Sequence, residues 1–409
     1  MNYLQCFKNI NIATMQDGQY HFLQKAALVI EDEKIAWVGY EKDLPKHYLE
    51  KDVIYYDGQG LCALPGLIDA HTHSIYAGNR ANEFAMRLQG KTYTDIAKAG
   101  GGIISTVSAT RNATENELFT QAKRRLMIMR EQGVTTVEIK SGYGLDEITE
   151  INCLQIAKKL SQSLDMNIKR TYLGAHALPP EFVDKDTYID WMIAVMLPKI
   201  AKQSLADFVD VYCESIAFNL TQTKRYLESA KSLGFKLKMH AEQLTDMGAS
   251  LLASELGATS VDHLEYLNQN TCAALAKSKT TAVLLPGAFY FLREKQIPPI
   301  KALCDAGVNI AIASDSNPGT SPTTSLLLVA NMAAVFFGLE AERCLAGITI
   351  FAAHALAIEK THGSLEVGKM ADIAFFAVEH PQELIYWLQE NRCQSVVVAG
   401  KVDESFFTK

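Results

Sequence analysis

Leu64-Pro65-Gly66-Leu67-Ile68-Asp69-Ala70-His71-Thr72-His73 is the stretch from which the rest of the chain can be read. An apolar, strand-forming run ends in an acid and then in two histidines one residue apart. Alternate residues of an extended strand project to the same side, so His71 and His73 can present two imidazoles to one point. Alone, such a pair is a weak signal, because a histidine in an apolar run is usually a satisfied core residue. Its weight comes from recurrence. Apolar strand-like runs alternate with helical patterns at 63–68, 135–139, 168–173, 208–212, 236–239, 260–262, 281–285 and 309–313. Eight such units predict an α/β fold with a parallel sheet closed into a (β/α)8 TIM-type barrel. The carboxyl ends of all eight strands then gather on one rim. Five of the ten histidines fall just after these runs, namely His71, His73, His176, His240 and His263, and Asp315 follows the eighth. Three imidazoles and one carboxylate, from His71, His73, His240 and Asp315, suit one divalent or trivalent ion per chain. Zinc is the first expectation and iron the substitute.

Outside the barrel the rhythm changes. Residues 27–30 and 35–39 read as strand, polar turn and strand, and 53–56 as a further β segment. At the other end, the turn-rich 363–369 leads into 371–376, and 395–401 is strand and turn. A few strands cannot bury both faces alone. The two ends are therefore expected to build one small discontinuous β-sandwich domain, from 1–62 and 356–409, around a barrel at 63–355.

Composition sets the outer limits. With 409 residues, 48% hydrophobic and 21% charged, the chain has material for a large core and is neither disordered nor a disulfide miniprotein. A net charge of −7 disfavours nonspecific nucleic-acid binding. Lys123-Arg124-Arg125 reads as a solvated helix face. The eight cysteines include no CxxC pair and suggest free thiols in a reducing cytoplasm. The first fourteen residues lack a signal-peptide core, and the apolar stretch 326–339 is too short to span a bilayer. A soluble cytoplasmic protein is expected, with no membrane or nucleic-acid partner and a homodimeric assembly.

Several motifs carry a family resemblance. Residues 64–73 resemble the first-strand signature of the amidohydrolase superfamily, and Gly363 to Lys369 followed by Ala371-Asp372-Ile373 resembles that superfamily's return into its small β domain. More narrowly, the chain resembles the imidazolonepropionases, the ring-opening hydrolases of histidine degradation. The matching stretches are Gly78-Asn79-Arg80, Gly100 to Ile103, Lys140 to Gly144, Gly174 to Pro179 and Ser314 to Gly319, and the resemblance runs from about residue 25 to the end. It implies a mononuclear site with His71, His73, His240 and Asp315 as ligands. It also implies that Arg80, Tyr143, His176, Gln243, Asn317, Gly319 and Thr320 contact substrate or product. Some members carry Glu where this chain has Gln243, and a glutamine cannot act as a general base. Thr320 stands where Ser is common and keeps the hydroxyl.

The activity so implied is hydrolysis of the cyclic amide of 4-imidazolone-5-propanoate, a small anionic heterocycle, to N-formimidoyl-L-glutamate. Asp315, His263 and His176 are the expected catalytic residues: Asp315 as ligand and proton acceptor, the histidines to stabilise the oxyanion or place water. Arg80, beyond the first strand, suits a carboxylate, and a flexible loop around Tyr143 could lie over the site. Another superfamily activity, such as heterocycle deamination, shares the metal core. A two-metal site would draw on Glu214 and His263. Gly100-Gly101-Gly102 lacks the context of a phosphate loop and reads as a lid or a tight packing point. His21, His47, His354, His362 and His380 read as structural or surface residues.

Overall fold

The computed structural model describes residues 4–49, 52–91, 100–388 and 390–402. Two sheets organise them. The first takes β1 (Leu4–Ile12), β2 (Leu23–Glu31), β3 (Lys34–Tyr40), β4 (Val53–Asp57) and β5 (Cys62–Pro65) from the start of the chain. The second holds β6 (Leu67–Asp69), β7 (Val134–Lys140), β8 (Asn167–Ala175), β9 (Phe208–Cys213), β10 (Lys236–Ala241), β11 (Ser260–His263), β12 (Thr281–Leu284) and β13 (Ile310–Ile312). All its ladders are parallel, and its strands neighbour one another in chain order. The chain then returns to the first sheet with β14 (Ile373–Phe376), β15 (Cys393–Val398) and β16 (Lys401–Val402), and β14 pairs antiparallel with β5. This is the expected barrel with a sheet drawn from both termini.

The barrel closes between its first and last strands. Asp315 N donates to His71 O, His73 N to Ser316 O, and Thr72 bridges Ser316 in parallel. The same seam is filled by the helix Ile350–Ala355, whose alanines join Ile68, Ala70, Val283 and Ala311 in one buried cluster. Three metal-ligand candidates, His71, His73 and Asp315, therefore lie on the seam itself.

Residues 63–68, expected as one strand, are two. The run breaks at Gly66, so β5 belongs to the terminal sheet and only Leu67–Asp69 enters the barrel. A Cβ at Gly66 would lie 2.1 Å from Thr135 Oγ1, so only glycine lets the chain pass this close to β7 while changing sheets.

Within the barrel, period-2 alternation sorts the side chains. Val137, Ile139, Val209, Val211, Leu237, Met239 and Val261 join the apolar core. Their neighbours Glu138, Lys140, Asp210, Lys238, His240 and Asp262 are buried among one another instead. The inner layer below the rim is charged rather than aliphatic.

Lys123-Arg124-Arg125 lies on the helix Glu115–Glu131 as expected, but Arg125 is no solvated residue. Its guanidinium sits 3.6 Å from the Tyr76 ring centroid and donates to the carbonyls of Ser74 and Tyr76, fastening the segment after the His pair. None of the eight cysteines is in a disulfide. Among the described residues, no helix is long and apolar enough to cross a membrane.

Candidate active site

The strand-end residues converge as the register requires. Ring nitrogens of His71, His73 and His240 all lie within 4.8 Å of one another. Asp315 Oδ1 lies 3.4 Å from His71 Nε2 and 3.5 Å from His73 Nε2. Two carboxylates beneath the rim fix which nitrogens are presented. His71 Nδ1 pairs with Asp262 Oδ2 at 2.6 Å, and His240 Nδ1 with Asp210 Oδ1 at 3.1 Å. A carboxylate acceptor holds the proton on Nδ1 and turns the Nε2 lone pair toward the centre.

The donor set fits a metal ion. His240 Nε2 is buried with no hydrogen-bond partner, and His71 Nε2 faces His73 Nε2 at 3.3 Å. Buried polar atoms are normally satisfied, and two imidazole lone pairs directed at each other repel unless a cation lies between them. Burial pushes all three imidazoles well below the usual histidine range, so they are neutral, as ligands must be. Burial also pushes the Asp315 carboxyl up to about 8, and the charge of a bound ion would oppose that shift. Asp315 holds φ 50 and His263 φ 87, left-handed conformations that cost energy in residues other than glycine and cluster at working sites.

Above the ligands lies a cavity of about 250 Å³. Its walls include His73, Arg80, Tyr143, His176, His240, Gln243, His263, Asp315, Asn317 and Thr320, so nearly every site residue expected from the sequence meets there. Gly319 adjoins it: a Cβ on Gly319 would fall 2.1 Å from Arg80 Nη1, and glycine alone admits the guanidinium at that depth. Ile103, Ala177, Tyr212, Ile216 and Ala217 also line the cavity and were missed, since apolar and aromatic rim residues carry no sequence signal of their own.

Local bonding refines several expectations. His176 Nδ1 lies 3.0 Å from Gly142 O, and burial pushes its pKa down to about 4. A neutral His176 thus donates Nδ1–H to that carbonyl and offers Nε2 as an acceptor. His263, also lowered to about 4 by burial, has its Nδ1 unpartnered. The loop around Tyr143 is not flexible, because Glu150 accepts from the backbone N–H groups of Gly142, Gly144 and Leu145, and Tyr143 is 5% exposed. Tyr212 Oη donates to Gln243 Oε1 at 2.7 Å, which leaves the amide nitrogen of Gln243 as its donor. The Asn317 side chain is committed within its own turn, donating to Asp315 O and Thr320 Oγ1 and accepting from the N–H groups of Gly319 and Thr320.

Arg80 is ion-paired as well as cavity-lining. Its Nε donates to Glu83 Oε2 at 2.8 Å, and Glu83 Oε1 accepts from Gly102 N and Ser105 Oγ. Gly102 precedes the helix Ile103–Asn112 with its N–H held by Glu83, whereas a Cβ on Gly100 would meet nothing within 4 Å, so tight packing does not extend over the triplet. Glu214, which a second ion would need, points elsewhere: its oxygens accept from Leu244 N, Thr245 N, Thr245 Oγ1 and Ser215 N.

The comparisons with known proteins agree with this geometry. Residues 62–402 match the model of the amidohydrolase family. The chain is 52% identical over 406 residues to an imidazolonepropionase of Shewanella putrefaciens, covering 98% of this chain and 99% of that one. It is 51% identical over 409 residues to the imidazolonepropionase of Shewanella frigidimarina, with the same coverage. Among solved structures, a triazine hydrolase variant superposes with a TM-score of 0.76 at 18% identity, over 98% of this chain and 94% of that one. A zinc-bound adenosine deaminase from Xanthomonas campestris gives 0.72 at 17%, over 98% and 92%. At these identities the two structures speak for the fold alone.

Proposed function

The chain belongs to the amidohydrolase family, and from that premise we propose that it opens the ring of 4-imidazolone-5-propanoate by hydrolysis, giving N-formimidoyl-L-glutamate in histidine degradation. The observation that carries the reading is one cavity holding both a metal-ligand set and Arg80, a cation placed for the substrate's tail. His71, His73, His240 and Asp315 would hold one ion, with zinc as the ion proposed and iron as the alternative. Such an ion supplies Lewis acidity, lowering the pKa of water and polarising a carbonyl.

The protein's own groups do the rest. Arg80 receives the propionate through the guanidinium edge that Glu83 leaves open, and Tyr143 lies beside it. His176 Nε2 accepts from a ring N–H, and the Gln243 amide donates to a ring acceptor. His263 is the remaining candidate to donate to the oxygen that gains charge as water adds to the carbonyl carbon. Asp315 takes the water's proton at Oδ2, beside Thr320 Oγ1, and returns it to the ring nitrogen as the C–N bond breaks. Water is added across one bond, and no other reactant is needed. The free thiols favour a reducing cytoplasm as the site of action.

Kinetics with the imidazolone ring with and without its propionate test the substrate assignment. The tail should improve kcat/KM chiefly through KM. Release of ammonia from an aminated heterocycle, with the imidazolone untouched, would instead make the chain a deaminase.

A further inference from the structure

Beneath the ligands, Lys140 Nζ lies 2.7 Å from Asp210 Oδ2, 3.3 Å from Asp262 Oδ2 and 3.1 Å from Glu138 Oε2. All four side chains are fully buried. Asp210 backs His240 and Asp262 backs His71, so one ammonium stands between the two carboxylates that orient two different imidazoles. The path His240–Asp210–Lys140–Asp262–His71 is continuous and draws on four strands, β10, β9, β7 and β11, and on the segment just after β6. Lys238, the other buried lysine of this layer, bonds Glu138 Oε2 at 2.8 Å and Ala70 O at 3.0 Å. It braces Glu138 and the chain just before His71. The hydrolysis derived above uses neither lysine.

We propose that Lys140 is the positioning residue of the metal site, setting His71 and His240 together through the carboxylates it shares. The proposal rests on the ligand assignment above. A buried cation that donates to Asp210 and is ion-paired with Asp262 keeps both acids as acceptors toward Nδ1–H, and so both Nε2 lone pairs face the same point. Buried charges of like sign would not sit this close without it, since an unpaired buried carboxylate is strongly unfavourable. Each acid's position then depends on the other, because the ammonium cannot move toward one without leaving its partner. The arrangement makes the two histidines one preassembled unit rather than two independent ligands.

Zinc affinity, read by competition with a chromophoric chelator, tests this without reference to turnover. Lys140→Met should weaken binding about 10- to 100-fold, the usual cost of disturbing a partner behind a ligand. Asp210→Asn and Asp262→Asn should each weaken it as well, and the double substitution should cost clearly less than the product of the two, because both act through one lysine. Multiplicative losses in the two aspartate variants would overturn the proposal, as would a folded Lys140→Met protein binding zinc within twofold of the parent. If Lys140→Met does not fold, the aspartate cycle decides alone. His71→Ala and His240→Ala separate this from the ligand assignment: if they retain parental affinity, it is the ligand set that is wrong.

Discussion

Single side chains divide the work of the cavity, and each can be tested singly. Arg80 has no counterpart in the water chemistry, so Arg80→Ala should raise KM about 10- to 100-fold and leave kcat near its parent value. That is the loss expected from one charge-assisted hydrogen-bonded pair, about 1.5–3 kcal/mol. A fall confined to kcat would mean that the guanidinium acts at the ring and not on the tail. His263→Ala should behave in the opposite way, lowering kcat by roughly 10²–10³ at similar KM, as removal of an oxyanion donor does elsewhere. Intact turnover in that variant would remove His263 from the reaction. The HxH motif, its partners His240 and Asp315, and the rim histidines His176 and His263 were legible in the sequence because strand ends in a barrel share one rim, whereas Arg80, Tyr143, Gln243, Asn317 and Thr320 were expected only from the family resemblance. Asp210 and Asp262 were not singled out, although each stands at an inward position of a strand, in Phe208-Val209-Asp210 and Ser260-Val261-Asp262. An acid in an otherwise apolar strand was the available signal.

At the scale of elements, the eight strand runs were readable because apolar strand-like segments recur between helical patterns long enough for crossovers. What was not readable is where the chain changes sheets. In the run Ala63 to Ile68 only Pro65-Gly66 marks the break, and the need for glycine there comes from Thr135, distant in sequence. Gly66→Ala should therefore destabilise the protein by about 1–3 kcal/mol through overpacking, measured by urea denaturation, and Thr135→Gly should recover part of the loss. No recovery in the double variant would mean that some other contact makes Gly66 necessary. The Tyr143 loop gave the opposite lesson: two glycines beside a tyrosine read as mobility, yet Glu150 on the following helix ties down three of its backbone N–H groups.

For the whole molecule, stability and the metal are linked but separable. Removing the ion with a chelator should abolish turnover and lower Tm while far-ultraviolet circular dichroism persists, because the large apolar clusters that pack strands against helices include none of the ligands. Complete unfolding on chelation would make the ion a structural requirement of the barrel. Buried acids add a pH dependence of known sign. Glu265 is fully buried with Oε2 unpartnered, and burial pushes its carboxyl up to about 8. A carboxyl raised in the folded state binds its proton more tightly there than in the unfolded chain. It therefore costs stability increasingly as pH rises from the ordinary glutamate value near 4.5 toward 8. Glu265→Gln should match the parent at pH 4 and be the more stable protein at pH 8.5; a stability difference independent of pH would contradict that charge assignment.

The whole account stands on ring opening at one metal site in a barrel that recognises a propionate. The most direct measurement is to add purified, zinc-loaded protein to 4-imidazolone-5-propanoate and follow the ring absorbance while identifying the product. Loss of the absorbance, with one N-formimidoyl-L-glutamate formed per ring and no reaction after chelation, is the predicted result. Persistence of the ring absorbance with the metal-loaded protein would contradict it and leave only the family and the fold.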